Sequence, residues 1–275
     1  MFPAASSTSS SIRGPPVSIY LLATLTASLV FLLGACGSSK TSLSPTSTAA
    51  SEVSTPRATA TEPSIAPSPT PLSLARVSDE PVGFGTADGA ILRGHVYSVP
   101  GPKRRIVIFA SADTSAWRAQ ASGFVAPGID ILMFDFRGQG ETRGPGDDGK
   151  LDLDLEAAVR FMKSRDYALV YVVGADAGGT AAIKVAARQD LAGIVVVSAP
   201  ITVQGGIDAR ADIVRVQEPK LFIAARGDAD TVGAVNFFML NAPEPKQSQL
   251  LDGGMQGSAL LFAAASQLIH DFVTK

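Results

Sequence analysis

From residue 79 onward the apolar positions switch repeatedly between short continuous runs and helical spacing. Ile91 to Tyr97 follows the turn signal Ala87-Asp88-Gly89 and reads as one strand of an N-terminal hairpin. Arg105 to Ser111 and Asp130 to Arg137 are short apolar runs rich in β-branched and aromatic residues, as in buried strands. Leu169 to Gly174, Leu191 to Ser198 and Leu221 to Ala225 repeat that pattern, and Gln249 to Asp252 makes a short last strand. Between them, helical spacing predicts helices over Ala116 to Phe124, Leu153 to Met162, Thr180 to Ala187, Thr231 to Leu240 and Ser258 to Val273. Strands alternating with helices imply an α/β fold, a mostly parallel sheet covered by helices on both faces.

The first third reads differently. Met1 to Pro16 is polar with one positive charge, Arg13, and Ile19 to Ala35 is almost wholly apolar or small. As a helix that run is about 25 Å long, short for a membrane span. A positive start, an apolar stretch and small residues before the break describe a secretory signal over residues 1–35. From Gly37 to Leu72, 27 of 36 residues are Ser, Thr, Pro or Ala and none is aromatic. Such a segment cannot bury enough apolar surface to offset its ordering entropy, so residues 36–78 are expected to form a flexible tether. Its r.m.s. reach is about 33 Å. The folded domain is expected over residues 79–275.

The Leu33-Gly34-Ala35-Cys36 ending resembles the lipobox of bacterial lipoproteins. That resemblance implies acylation of Cys36, a mature chain beginning there, and attachment to the extracytoplasmic side of the cell membrane. The competing reading is an uncleaved anchor with an incidental cysteine.

Composition narrows the chemistry. The 275 residues are 46% hydrophobic and 17% charged, with a formal net charge of −2. That excludes a wholly disordered chain and argues against a nucleic-acid partner, which calls for a basic surplus. Cys36 is the sole cysteine, so no internal disulfide and no cysteine-based zinc site can form. His95 and His270 are the only histidines, and any mechanism that needs an imidazole must use one of them.

Ligands of open α/β sheets bind at the carboxyl ends of the strands, and three features converge there. Gly174-Ala175-Asp176-Ala177-Gly178-Gly179 has the shape of a nucleophile elbow, with Asp176 where serine is usual. A dinucleotide-binding loop would need glycine where Asp176 stands. Asp135-Phe136-Arg137-Gly138-Gln139-Gly140-Glu141 follows a strand directly. Phe222 to Asp228 and then Leu251 to Gly257 close the chain's set of loops.

Together these motifs resemble the α/β-hydrolase superfamily, in its esterase and dienelactone-hydrolase style, over residues 79–275. The resemblance implies a sheet without a cap domain, since only about twenty residues separate Ser198 from Leu221. It places nucleophile, acid and histidine at Asp176, Asp228 and Gln256, and the oxyanion loop at Ser111, Ala112 and Ala177. Only Asp228 keeps the family's residue type. An aspartate nucleophile forms a covalent ester that a histidine-activated water must cleave, and the amide of Gln256 has no useful basicity. The expectation is therefore a degenerate site in a binding or scaffold module with a small-molecule ligand. In it the Gln256 amide would donate to both Asp176 and Asp228. Two alternatives stand beside it. One is an active hydrolase of esters or related small substrates using Asp176 and Asp228. The other is a cation- or amine-binding lipoprotein, with Asp230 near the pocket. The sequence points to no cofactor and to no defined metal-ligand set.

Overall fold

The computed structural model describes residues 77–111, 114–118 and 120–275. The expected signal, Cys36, the tether and Ala112 lie outside the described residues. The described chain forms one eight-stranded sheet in the order β1-β2-β4-β3-β5-β6-β7-β8. The hairpin strands β1 (Ser78–Gly85) and β2 (Ile91–Ser98) are antiparallel, and β2 joins β4 antiparallel. The remaining strands, β3 (Arg105–Ala110), β4 (Ile129–Asp135), β5 (Leu169–Ala175), β6 (Gly193–Val197), β7 (Lys220–Ala225) and β8 (Lys246–Leu251), pair in parallel.

The continuous apolar runs are explained by burial on both faces. Ile106, Ile108, Leu132, Phe134, Val172 and Val196 point to one face. There they meet Leu155, Val159 and Met162 of α2 (Leu151–Lys163), Ala182 and Val185 of α3 (Ala177–Ala186), and Phe238 of α4 (Ala229–Asn241). Val107, Phe109, Ile131, Val173 and Val195 alternate to the other face. They are covered by Trp117 of α1 (Ser115–Arg118), by Leu260 of α5 (Gly257–Leu260), and by Ile269 and Val273 of α6 (Ser266–Thr274), with a π turn at Leu261–Ala265 between α5 and α6. Each fully buried side chain of this size stabilises by about 1.5–3 kcal/mol. The connection from β6 to β7 holds a single 3₁₀ turn, Ile213–Arg215, and no cap domain.

Three elements differ from the sequence expectation. The helix expected over 116–124 is one α turn followed by a 3₁₀ turn at Ala121–Gly123. Helix α3 starts three residues earlier than its apolar spacing suggests, because Gly178 and Gly179 carry no hydrophobic signal. Strand β8 starts at Lys246 rather than Gln249. It is the sheet's outer edge, and its Lys246-Gln247-Ser248-Gln249 segment is polar, as an edge strand tends to be.

The Asp135-to-Glu141 segment is locked by ion pairs. The Arg137 Nε and backbone N–H each donate to Asp154 at 2.9 Å, and Nη1 donates to Asp88 at 2.8 Å. Asp88 is held well below the usual carboxylate range by those bonds from Arg137 and by Thr86. The buried guanidinium thereby ties the hairpin turn, the loop after β4 and α2 together.

Candidate functional site

Asp176 stands between β5 and α3 at φ +52° and ψ −128°, a conformation that most residues avoid. Packing enforces it. A Cβ at Gly174 would lie 2.4 Å from the Gly178 carbonyl oxygen, and one at Gly178 would lie 2.1 Å from the Ala110 carbonyl oxygen. Only glycine at 174 and 178 lets strand and helix approach this closely. The Asp176 N–H donates to the Val197 carbonyl at 3.1 Å, and the Asp176 carbonyl accepts from Gly179 to start the helix. Its side chain makes no cap bond to α3. The half-buried carboxyl is thus presented at the carboxyl edge of the sheet. Burial pushes its pKa up, and the nearby charge of Asp228 adds to the rise.

Ala177, the first residue of α3, offers a backbone N–H that the helix leaves unpaired. Ser111 follows β3 and is buried, with its Oγ 3.2 Å from the Ser258 Oγ. Its backbone nitrogen is 3.1 Å from where a Gly178 Cβ would be, so Ser111 flanks the elbow.

Asp228 follows β7 and is buried. It caps α4, accepting from the Thr231 N–H at 3.3 Å and from the Thr231 hydroxyl at 2.6 Å. Both carboxylate oxygens thus serve their own helix. Asp230, two residues on, is exposed. The loops after β7 and β8 are joined by the Gly227 N–H on the Gly253 carbonyl at 2.8 Å.

The third loop departs from the expectation. Gln256 is exposed, and its amide makes no hydrogen bond to Asp176 or Asp228 among the described residues. The expected amide bridge between the two carboxylates is not formed. The residue that faces Asp176 is Gly257, where a Cβ would lie 2.0 Å from the Asp176 Oδ2. Gly257 has φ +50°, and that turn packs its backbone on the carboxyl while leaving the Gln256 side chain outside.

Neither histidine reaches this edge. His95 is in β2, with Nδ1 2.6 Å from Asp79 and Nε2 3.3 Å from Glu141. His270 is exposed on α6, 3.8 Å from Asp271. Among the described residues, no group of three or more His, Cys, Asp or Glu side chains is placed to hold a metal ion.

Sequence reasoning missed Gly257, the Ser111–Ser258 hydroxyl pair and Ser198. Ser198 follows β6 at φ +47°, is buried, and its Oγ has no partner among the described residues. Its only signal was a serine closing an apolar strand ahead of Pro200.

The sequence profile of the Alpha/beta hydrolase family matches residues 96–273. No curated protein matches the chain. Among solved structures, an esterase from Pyrococcus furiosus is 18% identical, with 72% of this chain and 92% of that one covered at a TM-score of 0.60. A dienelactone hydrolase from Anabaena variabilis is 19% identical over 72% and 97% of the two chains, also at 0.60. An acetyl xylan esterase from Paenibacillus is 17% identical over 74% and 86%, at 0.57. At such identities the likeness is one of fold.

Proposed function

The chain belongs to the alpha/beta hydrolase family, and on that premise we propose that it is a membrane-anchored member that binds a small molecule without turning it over. The observation that carries this reading is the placement of the imidazoles. Both histidines of the chain pair with acids elsewhere, and the residue against Asp176 is a glycine. Ester hydrolysis needs a base to take the proton from a nucleophile or from water. Asp176 has the position to attack an acyl carbon, which forms a mixed anhydride once the alcohol leaves with a proton. Expelling the alcohol needs an acid to protonate it and turnover needs an activated water, and Asp228, bound to Thr231 through both oxygens, orients no imidazole for either. What remains at the carboxyl edge of the sheet is a carboxyl of raised pKa and an unpaired Ala177 N–H, with the Ser111–Ser258 hydroxyl pair beside the elbow. This set suits a small polar or amine-bearing ligand. The signal-like run and Cys36 support the anchoring, on which the domain would serve as a binding or scaffold module at the bacterial cell envelope.

The retained elbow at Asp176 favours a second reading, an active hydrolase of small esters. A panel of short acyl esters, assayed with the purified full-length protein and with Asp176→Ala, separates the two. The proposal expects equal, background rates for both. Wild-type turnover that disappears in Asp176→Ala would establish the hydrolase instead.

A further inference from the structure

A polar groove lies away from Asp176, where the β1–β2 hairpin meets the loop after β4. It consists of two adjoining cavities of about 440 and 360 Å³ that share Arg93 and Glu141. Pro81, Val82 and Gly83 line the first, and Ile91 and Arg143 line the second. Ile91 is 58% exposed, an unusual amount for a strand isoleucine.

The groove is held in shape by the chain around it. The Thr142 hydroxyl donates to the Asp135 carbonyl at 2.8 Å and accepts from the Arg93 N–H at 2.8 Å, which pins the loop to β2 and β4. The Arg143 N–H donates to the Glu141 carbonyl, closing a tight turn between the two lining side chains. Across the hairpin, Arg93 is opposite Gly83. A Cβ there would be 2.9 Å from the Arg93 Nη1, so the missing side chain at 83 lets the guanidinium lie across the edge strand.

The charges are unequally satisfied. Glu141 is already engaged by Arg118 on one oxygen and by His95 on the other, and Arg118 holds its pKa down. Among the described residues, no carboxylate comes within ion-pair distance of Arg93 or Arg143. Two planar guanidinium forks on one cavity match an anionic group that accepts two hydrogen bonds at once. The ionised Glu141 between them keeps lone pairs for donors such as hydroxyls. Pro81, Val82 and Ile91 supply apolar contact for a ring face.

We propose that this groove binds an anionic oligosaccharide, with a uronate-type carboxylate on Arg93 and Arg143, ring hydroxyls donating to Glu141, and successive sugar faces against Ile91 at one end and Pro81 at the other. The site is separate from Asp176 and does not rest on the reading of that residue. Calorimetric titration of the full-length protein with a galacturonate trimer is the test, with maltotriose and sodium acetate as comparators. Saturable binding of the trimer is expected, at least tenfold tighter than either comparator. The double variant Arg93→Gln/Arg143→Gln should lose at least tenfold in affinity with its thermal melt unchanged. Gly83→Val, which crowds the guanidinium and narrows the first cavity, should weaken binding in the same sense. No saturable binding of the trimer, equal affinity for maltotriose or for acetate, or undiminished binding by the double variant would overturn the proposal.

Discussion

Replacing Gly178 by alanine tests the elbow that presents Asp176. The new methyl would begin 2.1 Å from the carbonyl oxygen of Ala110 and 2.6 Å from its carbon, where relaxed carbon contacts are about 3.5–4.0 Å. Ala110 ends β3, which is paired on both sides, so its backbone has little room to move. Overpacking of this kind costs about 3 kcal/mol. Alanine returns up to about 1 kcal/mol through helix propensity. The net loss of about 2 kcal/mol corresponds to a fall of about 4–8 °C in Tm for a domain of this size. Gly233→Ala is the matched control. That glycine is exposed in α4, and a Cβ there meets nothing within 4 Å, so the same change should raise Tm by about 2–4 °C. Far-UV circular dichroism melts of the two variants should therefore move in opposite directions from wild type. A Gly178→Ala protein that melts at or above the wild-type temperature would refute the close strand–helix approach at the elbow.

Arg137→Met should be severe, because it strands the buried Asp154 carboxylate at a cost of about 3–5 kcal/mol, and adding Asp154→Leu should recover most of the loss in a chemical-denaturation series. Asp176→Asn should raise Tm at pH 7. Burial raises the Asp176 pKa in the folded state, so the carboxylate opposes folding once pH climbs above the ordinary aspartate value of about 3.9. The gain should shrink towards zero below about pH 3, where the carboxyl is protonated folded or unfolded, and a gain independent of pH would contradict the burial argument. Cys36→Ala should abolish metabolic labelling with palmitate and release the protein from the membrane fraction, and wild-type protein whose N-terminal peptide carries no lipid mass would remove the anchor.

The central strands were legible because burial on both faces writes itself as unbroken apolar runs, as in Ile106 to Phe109 and Leu221 to Ala225. Edges and glycine-rich starts were not. The polar first half of β8 resembles a loop, and α3 begins on Ala177-Gly178-Gly179, where tertiary contacts override poor helix formers. At the site, the elbow was visible from its glycine spacing. Motif register then assigned Gln256 to the space beside Asp176, and the structure gives that space to Gly257. The one-residue difference lies in a positive φ, which a glycine permits but does not announce. The Asp228 side chain was placed correctly after β7, whereas its engagement with Thr231 depends on the helix cap formed there.

The central claim is that Asp176 occupies a nucleophile's place without acting as one. Its most direct test is the mass of the tryptic peptide Asp166–Lys184 after the full-length protein has been incubated with short acyl esters in ¹⁸O-labelled water. An attacking carboxylate would leave either an acyl adduct, a mixed anhydride, on that peptide or, once water cleaved the anhydride at the aspartyl carbonyl, an ¹⁸O atom in Asp176. The account predicts an unmodified, unlabelled peptide. An acyl adduct, or ¹⁸O incorporation that is absent without ester, would contradict it.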